Sequence, residues 1–129
     1  MSTAKNVPAD VICRAANLST KKSKKIVWHT TDIIVRYSLG IDEYANLISK
    51  IITSCTDKDG DCVLAFVDFA IRVNVILAYS NVCLPTEPKQ LFDISYSSDL
   101  YEAVYKNACS AQIDSIIYTV RQCINVGGN

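Results

Sequence analysis

The chain has 129 residues, 50% apolar, 20% charged and 9% aromatic, which suits one domain with its own hydrophobic core and argues against a disordered chain. Thirteen basic residues balance thirteen acidic ones, so whole-molecule charge directs it to neither nucleic acid nor a cationic partner. Four glycines and three prolines exclude collagen-like and low-complexity architectures.

Residues 1–10 lack a charged stretch followed by an apolar one, so a secretory signal is not expected and the expected location is cytoplasmic or nuclear, not secreted. Pro8 suits the first turn of a short helix reaching about Leu18, with Val11, Ile12, Ala15 and Ala16 on one side. The basic stretch that follows opens a second predicted helix, in which Ile26, Ile33, Ile34 and Tyr37 recur at helical spacing before Gly40. Its many β-branched residues leave a strand open over 26–39.

Asp42 is placed to cap a third helix that carries Tyr44, Leu47, Ile48, Ile51, Ile52 and Cys55 at intervals of three and four. After a polar turn, residues 62–80 are apolar almost all round, the pattern of a helix enclosed by others. Asp68, Arg72 and Asn74 interrupt this run and argue against a bilayer span. Pro85 and Pro88 mark a loop, with a turn of helix near 90–94. Asp99 and Glu102 form a capping-box pattern for one long last helix, which runs through Leu100, Val104, Ile113, Ile116, Val120 and Ile124 to Gly127. The expected fold is all-α: one domain over 1–129, an antiparallel bundle of four main helices plus a short N-terminal helix, with a central apolar helix at 62–80.

Six cysteines, Cys13, Cys55, Cys62, Cys83, Cys109 and Cys123, show no CxxC spacing and are read as buried free thiols. His29 is the only histidine, so zinc would need mostly cysteine ligands at spacings no zinc motif uses. Asp32 and Thr30 or Thr31 lie near His29 in sequence, yet no nucleophile is spaced to join them. The expectation is a non-enzymatic protein with no catalytic residues, metal, cofactor or small-molecule substrate.

Asp57, Asp59 and Asp61 recur at alternate positions, with Asp68 further on. This resembles the opening of an EF-hand calcium loop, whose alternate side chains converge on one hard cation. The pattern departs where Cys62 replaces the turn glycine, Ala65 takes the ninth position and aspartate takes the twelfth. A polar interhelical turn in which Asp61 caps the next helix is the preferred reading, with calcium binding a lesser alternative.

The balanced total conceals a polarity. Residues 1–40 carry seven cations and two anions, a net +5, whereas residues 41–129 carry six and eleven, a net −5. Four of the lysines fall at the predicted start of the second helix, where the macrodipole disfavours cations by roughly 0.3–1 kcal/mol each. An anion would relieve that conflict. Lys21, Lys22, Lys24, Lys25 and Arg36 therefore form the candidate site for nucleic acid or an acidic protein surface. Asp68 and Arg72, four apart in the most apolar segment, are expected to make a structural ion pair, and Tyr101 and Tyr105 could anchor a partner.

Together these features suggest a helical protein that acts by binding and self-association as a homo-oligomer, without a membrane partner. One concrete form is a nucleic-acid-coating or filament-forming coat-like protein. The alternative is an adaptor or inhibitor presenting a hydrophobic groove.

Overall fold

The computed structural model describes residues 6–20 and 22–127, with the backbone alone at 18–20, 126 and 127. In chain order the elements are α1 (Ala9–Thr20), β1 (Ser23–Trp28), β2 (Thr31–Arg36), α2 (Ile41–Ser54), α3 (Val67–Tyr79), α4 (Pro88–Phe92), α5 (Leu100–Asn107) and α6 (Ser110–Gly127). A 3₁₀ turn, Leu64–Phe66, leads into α3, and a π-helical turn, Asp93–Ser97, follows α4.

The described residues thus hold six helices and a two-stranded antiparallel sheet, which corrects the all-α bundle of four main helices. The predicted second helix is a β-hairpin, pairing Ser23 with Arg36, Ile26 with Ile33 and Trp28 with Thr31. Ile33 and Val35 are buried while Ile34, between them, is exposed. Residues two apart share a face on a strand but point apart on a helix, so a strand alone buries both together.

His29 and Thr30 connect the strands at φ +46° and +67°, the positive angles of a type I′ turn, which Asn-Gly normally supplies. A β-branched residue is strained there, by on the order of 1–3 kcal/mol. Contacts from elsewhere hold the turn. The Trp28 indole N–H donates to Asp99 Oδ1 at 2.7 Å, and His29 Nε2 lies 3.4 Å from the same oxygen. The outer edge of β2 is closed by Asn81, whose side-chain oxygen accepts from the Ile34 N–H at 3.0 Å and whose N–H donates to the Ile34 carbonyl at 3.2 Å.

The core gathers on α3, which buries Val67, Ala70, Ile71, Val75, Ile76 and Tyr79. Packed round it are Leu47 and Ile51 of α2, Leu100 and Val104 of α5, Ile113, Ile116 and Val120 of α6, and the inner face of β2. Each such aliphatic side chain contributes roughly 1.5–3 kcal/mol on burial. Helix α3 begins five residues later than the apolar run, because Thr56 bridges to Cys62 and the Val63 N–H donates to the Cys55 carbonyl at 2.7 Å. Asp61 therefore does not cap it. Helix α2 begins behind Gly40, with Asp42 and Glu43 in its first turn, where the macrodipole favours them.

The expected long last helix is two. Ala108 is extended, and the Cys109 N–H donates to the Tyr37 carbonyl at 2.7 Å, tying the corner to the end of the hairpin. Asn107 and Ser110 hydrogen-bond to the carbonyls of Ala103 and Tyr105, the local competition with helix geometry that these residue types favour. On α6, Gln112 then bonds both backbone groups of Leu39 and accepts from the Tyr79 hydroxyl at 2.6 Å.

Candidate interaction surfaces

The basic cluster is not at the start of a helix. Lys21 lies outside the described residues, Lys22 precedes β1, and Lys24 and Lys25 are neighbours on it, pointing to opposite faces. The cluster follows the end of α1, where the macrodipole attracts cations, so the conflict that suggested a bound anion does not arise. Lys25 pairs with Asp32 across the hairpin at 3.5 Å. Arg36 grips Glu43 with two hydrogen bonds of 2.6 and 2.8 Å. That grip, helped by the Gly40 N–H, holds the Glu43 carboxyl down at about 2 and raises the Arg36 guanidinium. Of the five nominated cations, two thus have anionic partners within the chain. Lys22, just before β1, and Lys24, on it, stand exposed at the sheet edge, where charge discourages pairing with another sheet.

Asp68 and Arg72 do meet, with Arg72 Nε donating to Asp68 Oδ2 at 3.1 Å. The pair is not enclosed: the two side chains retain 24% (Arg72) and 51% (Asp68) of their exposure. The guanidinium also donates to the Ser95 carbonyl at 3.0 Å and lies 4.6 and 4.9 Å from the ring centres of Tyr96 and Tyr101. Glu102 sits 3.4 Å away, and the Tyr96 hydroxyl donates to Asp68 at 2.6 Å. Burial and that hydrogen bond push Tyr96 up to about 12. Arg72 therefore ties α3 to the π-helical turn and α5 through packing as much as through charge. Tyr101 and Tyr105 stack at 6.1 Å, and the Tyr105 hydroxyl donates to Asp114, so this side chain ties α5 to α6.

The polar turn uses its acid internally. Asp57 Oδ1 accepts from the N–H groups of Asp59 and Asp61, both at 2.9 Å, and Gly60 takes φ +86°. Among the described residues, no three His, Cys, Asp or Glu side chains are grouped to hold a metal ion. His29 meets Asp99 rather than Asp32. The reading of all six cysteines as buried needs correction too: Cys55 is buried, Cys62 and Cys109 are partly exposed, and Cys13, Cys83 and Cys123 are exposed.

Sequence reasoning named no residues for an apolar groove, yet one of about 340 Å³ opens where α3 begins, against the end of α2 and the start of α4. Phe66, Phe69, Ala70, Val73, Pro88 and Leu91 supply its apolar walls. Its polar lining is engaged, since Asn74 Nδ2 donates to the Ala70 carbonyl at 2.8 Å and lies 3.4 Å from the Ser54 hydroxyl. Phe69, Phe92 and Tyr96 form an aromatic group beside it with ring centres 4.8–6.2 Å apart, while Phe66 and Phe92 remain 54% and 52% exposed. No protein-family model, curated protein or solved structure matches the chain.

A second apolar surface lies on α1. Every side chain described from 6 to 17 is exposed, none belongs to the core, and Val11 and Ile12 keep 42% and 54% of their exposure. Val11, Ile12, Ala15 and Ala16 share one side of this helix by their spacing. None of the helices among the described residues is long and apolar enough to cross a membrane.

Proposed function

We propose that this chain is a non-enzymatic protein that works by self-association, the N-terminal helix α1 of one copy seating its apolar side in the groove of the next. The observation that carries the reading is the presence in one chain of an amphipathic helix outside the core and an apolar, aromatic-rimmed groove. Apolar patches of this kind mark interaction surfaces. A helix of 12 residues spans about 18 Å, and one apolar side of it presents the anchors that helix-in-groove recognition uses.

The charges of α1 itself cancel, with Asp10 and Arg14 paired at 3.5 Å, so its apolar side is what it offers the groove. Lys21, Lys22 and Lys24 follow α1 directly in sequence, and acidic residues flank the groove in sequence, with Asp57, Asp59 and Asp61 before Phe66 and Glu87 before Pro88. Attraction between these would add a salt-dependent part to the contact. Contact between unlike surfaces is heterologous, so it extends into rings or filaments rather than stopping at a two-fold dimer.

Light scattering tests this directly. The intact chain should show a molar mass well above its 14.2 kDa at low salt, falling as salt rises. Ile12→Asp on α1 and Phe66→Asp at the groove should each give monomers, because both positions are exposed and neither supports the core. Mixing the two variants should restore a dimer and nothing larger, since one contributes an intact groove and the other an intact helix. A monomer at every salt concentration, or assembly unaffected by either variant, overturns the reading. A high ratio of absorbance at 260 to 280 nm on the assembled peak would overturn it in favour of nucleic acid on the lysines.

A further inference from the structure

We propose that Cys55 and Cys62 are an oxidation site, closing to a reversible intramolecular disulfide when the protein meets a peroxide. The inference is independent of the groove. Cys55 ends α2 and Cys62 lies beyond the polar turn, and the Thr56 to Cys62 bridge with the Val63 to Cys55 backbone hydrogen bond brings the two together. Their sulfurs are 3.9 Å apart, against about 2.05 Å in a disulfide. Side-chain rotation at partly exposed Cys62 can cover much of that difference while the backbone bridge stays in place.

The environments of the two thiols assign an order of events. Cys55 is 1% exposed, and burial, with the Cys62 hydrogen bond, pushes its thiol up to about 11. Cys62 is the more accessible, so it meets the oxidant first. Its thiolate attacks one peroxide oxygen and breaks the O–O bond, leaving a sulfenic acid and, with a proton, one water. The Cys55 sulfur then attacks the Cys62 sulfur, the S–O bond breaks, and the departing hydroxide leaves as water with the proton from Cys55. Two thiols and one hydrogen peroxide thus yield one disulfide and two waters, with two electrons passing from sulfur to oxygen. The bond closes an eight-residue ring around the Asp57 turn and fastens the end of α2 to the approach to α3. A thiol reductant reverses it by exchange.

Trypsin makes the product easy to recognise. Cleavage after Lys50, Lys58 and Arg72 places the two cysteines in separate peptides, 51–58 and 59–72, which only a disulfide would join. The folded full-length protein, treated with hydrogen peroxide and then alkylated, should yield this joined pair, two hydrogens lighter than the separate peptides together, and dithiothreitol should separate it. Cys62→Ser and Cys55→Ser should each abolish the pair, and peroxide treatment in denaturant should lose the preference for it. Over-oxidised Cys62 without the joined pair, links dominated by exposed Cys13, Cys83 or Cys123, or an equal yield of the pair in denaturant would overturn the proposal.

Discussion

The first 36 residues and the helical body from Ile41 onward solve different problems with similar proportions of apolar residues, 16 of 36 against 46 of 89. In the first region only Ile33 and Val35 are buried among the described residues, and Val7, Val11, Ile12, Val27 and Ile34 are exposed. In the second, α3 gathers buried side chains from α2, α5 and α6. A core stabilises the body, whereas the N-terminal region displays its apolar side chains. Apolar content alone therefore does not say which part of a chain folds inward, because burial requires a partner surface.

The largest expected effect sharpens this contrast. Ile76→Ala removes a side chain that is fully buried and should cost about 2–5 kcal/mol by denaturant unfolding. Ile12→Ala should change the stability of the isolated chain by less than about 0.5 kcal/mol. Equal costs would mean that α1 packs on the body. Arg72→Ala comes next, at about 1–3 kcal/mol, since it removes a charged hydrogen bond to the Ser95 carbonyl and packing against two rings. A loss as large as that of Ile76→Ala would mark a fully enclosed pair instead.

Thr30→Gly should act in the opposite direction. Glycine accepts φ +67° without a Cβ clash, so the hairpin should gain about 1 kcal/mol, read as a rise in Tm. An unchanged or lowered Tm would show that the turn is not where the strain resides.

The smallest effect is one of pH. Arg36 lowers the Glu43 carboxyl from its ordinary 4.5 to about 2. A group depressed on folding contributes stability that is complete above its unfolded value and is lost as pH falls. Thermal unfolding followed between pH 5 and about pH 2 should therefore fall more steeply for the natural chain than for Glu43→Gln. Parallel curves would remove Glu43 as the link between hairpin and body.

Much of the body was legible in residue spacing. Leu47 and Ile51 lie inward on α2 as their intervals of four imply, and the apolar run near 70 does carry the middle of the core. The hairpin was obscured because Ile26, Ile33 and Ile34 fit a helical period as well as a strand, and His29-Thr30 lacks the glycine that announces a type I′ turn. The break at Ala108 was obscured because the hydrogen bond that engages Cys109 comes from Tyr37, seventy-two residues earlier. The groove was out of view for the same kind of reason, since Phe66 and Leu91 share a wall only after α4 folds back on α3.

By itself the sequence determined which side of each amphipathic helix is apolar, where charge accumulates, and that Asp68 and Arg72 stand one helical turn apart, all of which follow from covalent order and local geometry. Only the tertiary structure decided that Lys24 and Lys25 lie on an edge strand, that Arg36 serves Glu43, that Cys55 faces Cys62, and that α1 lies outside the core while a groove stays open. These depend on contacts between distant segments, whose free energies add only when the whole chain packs.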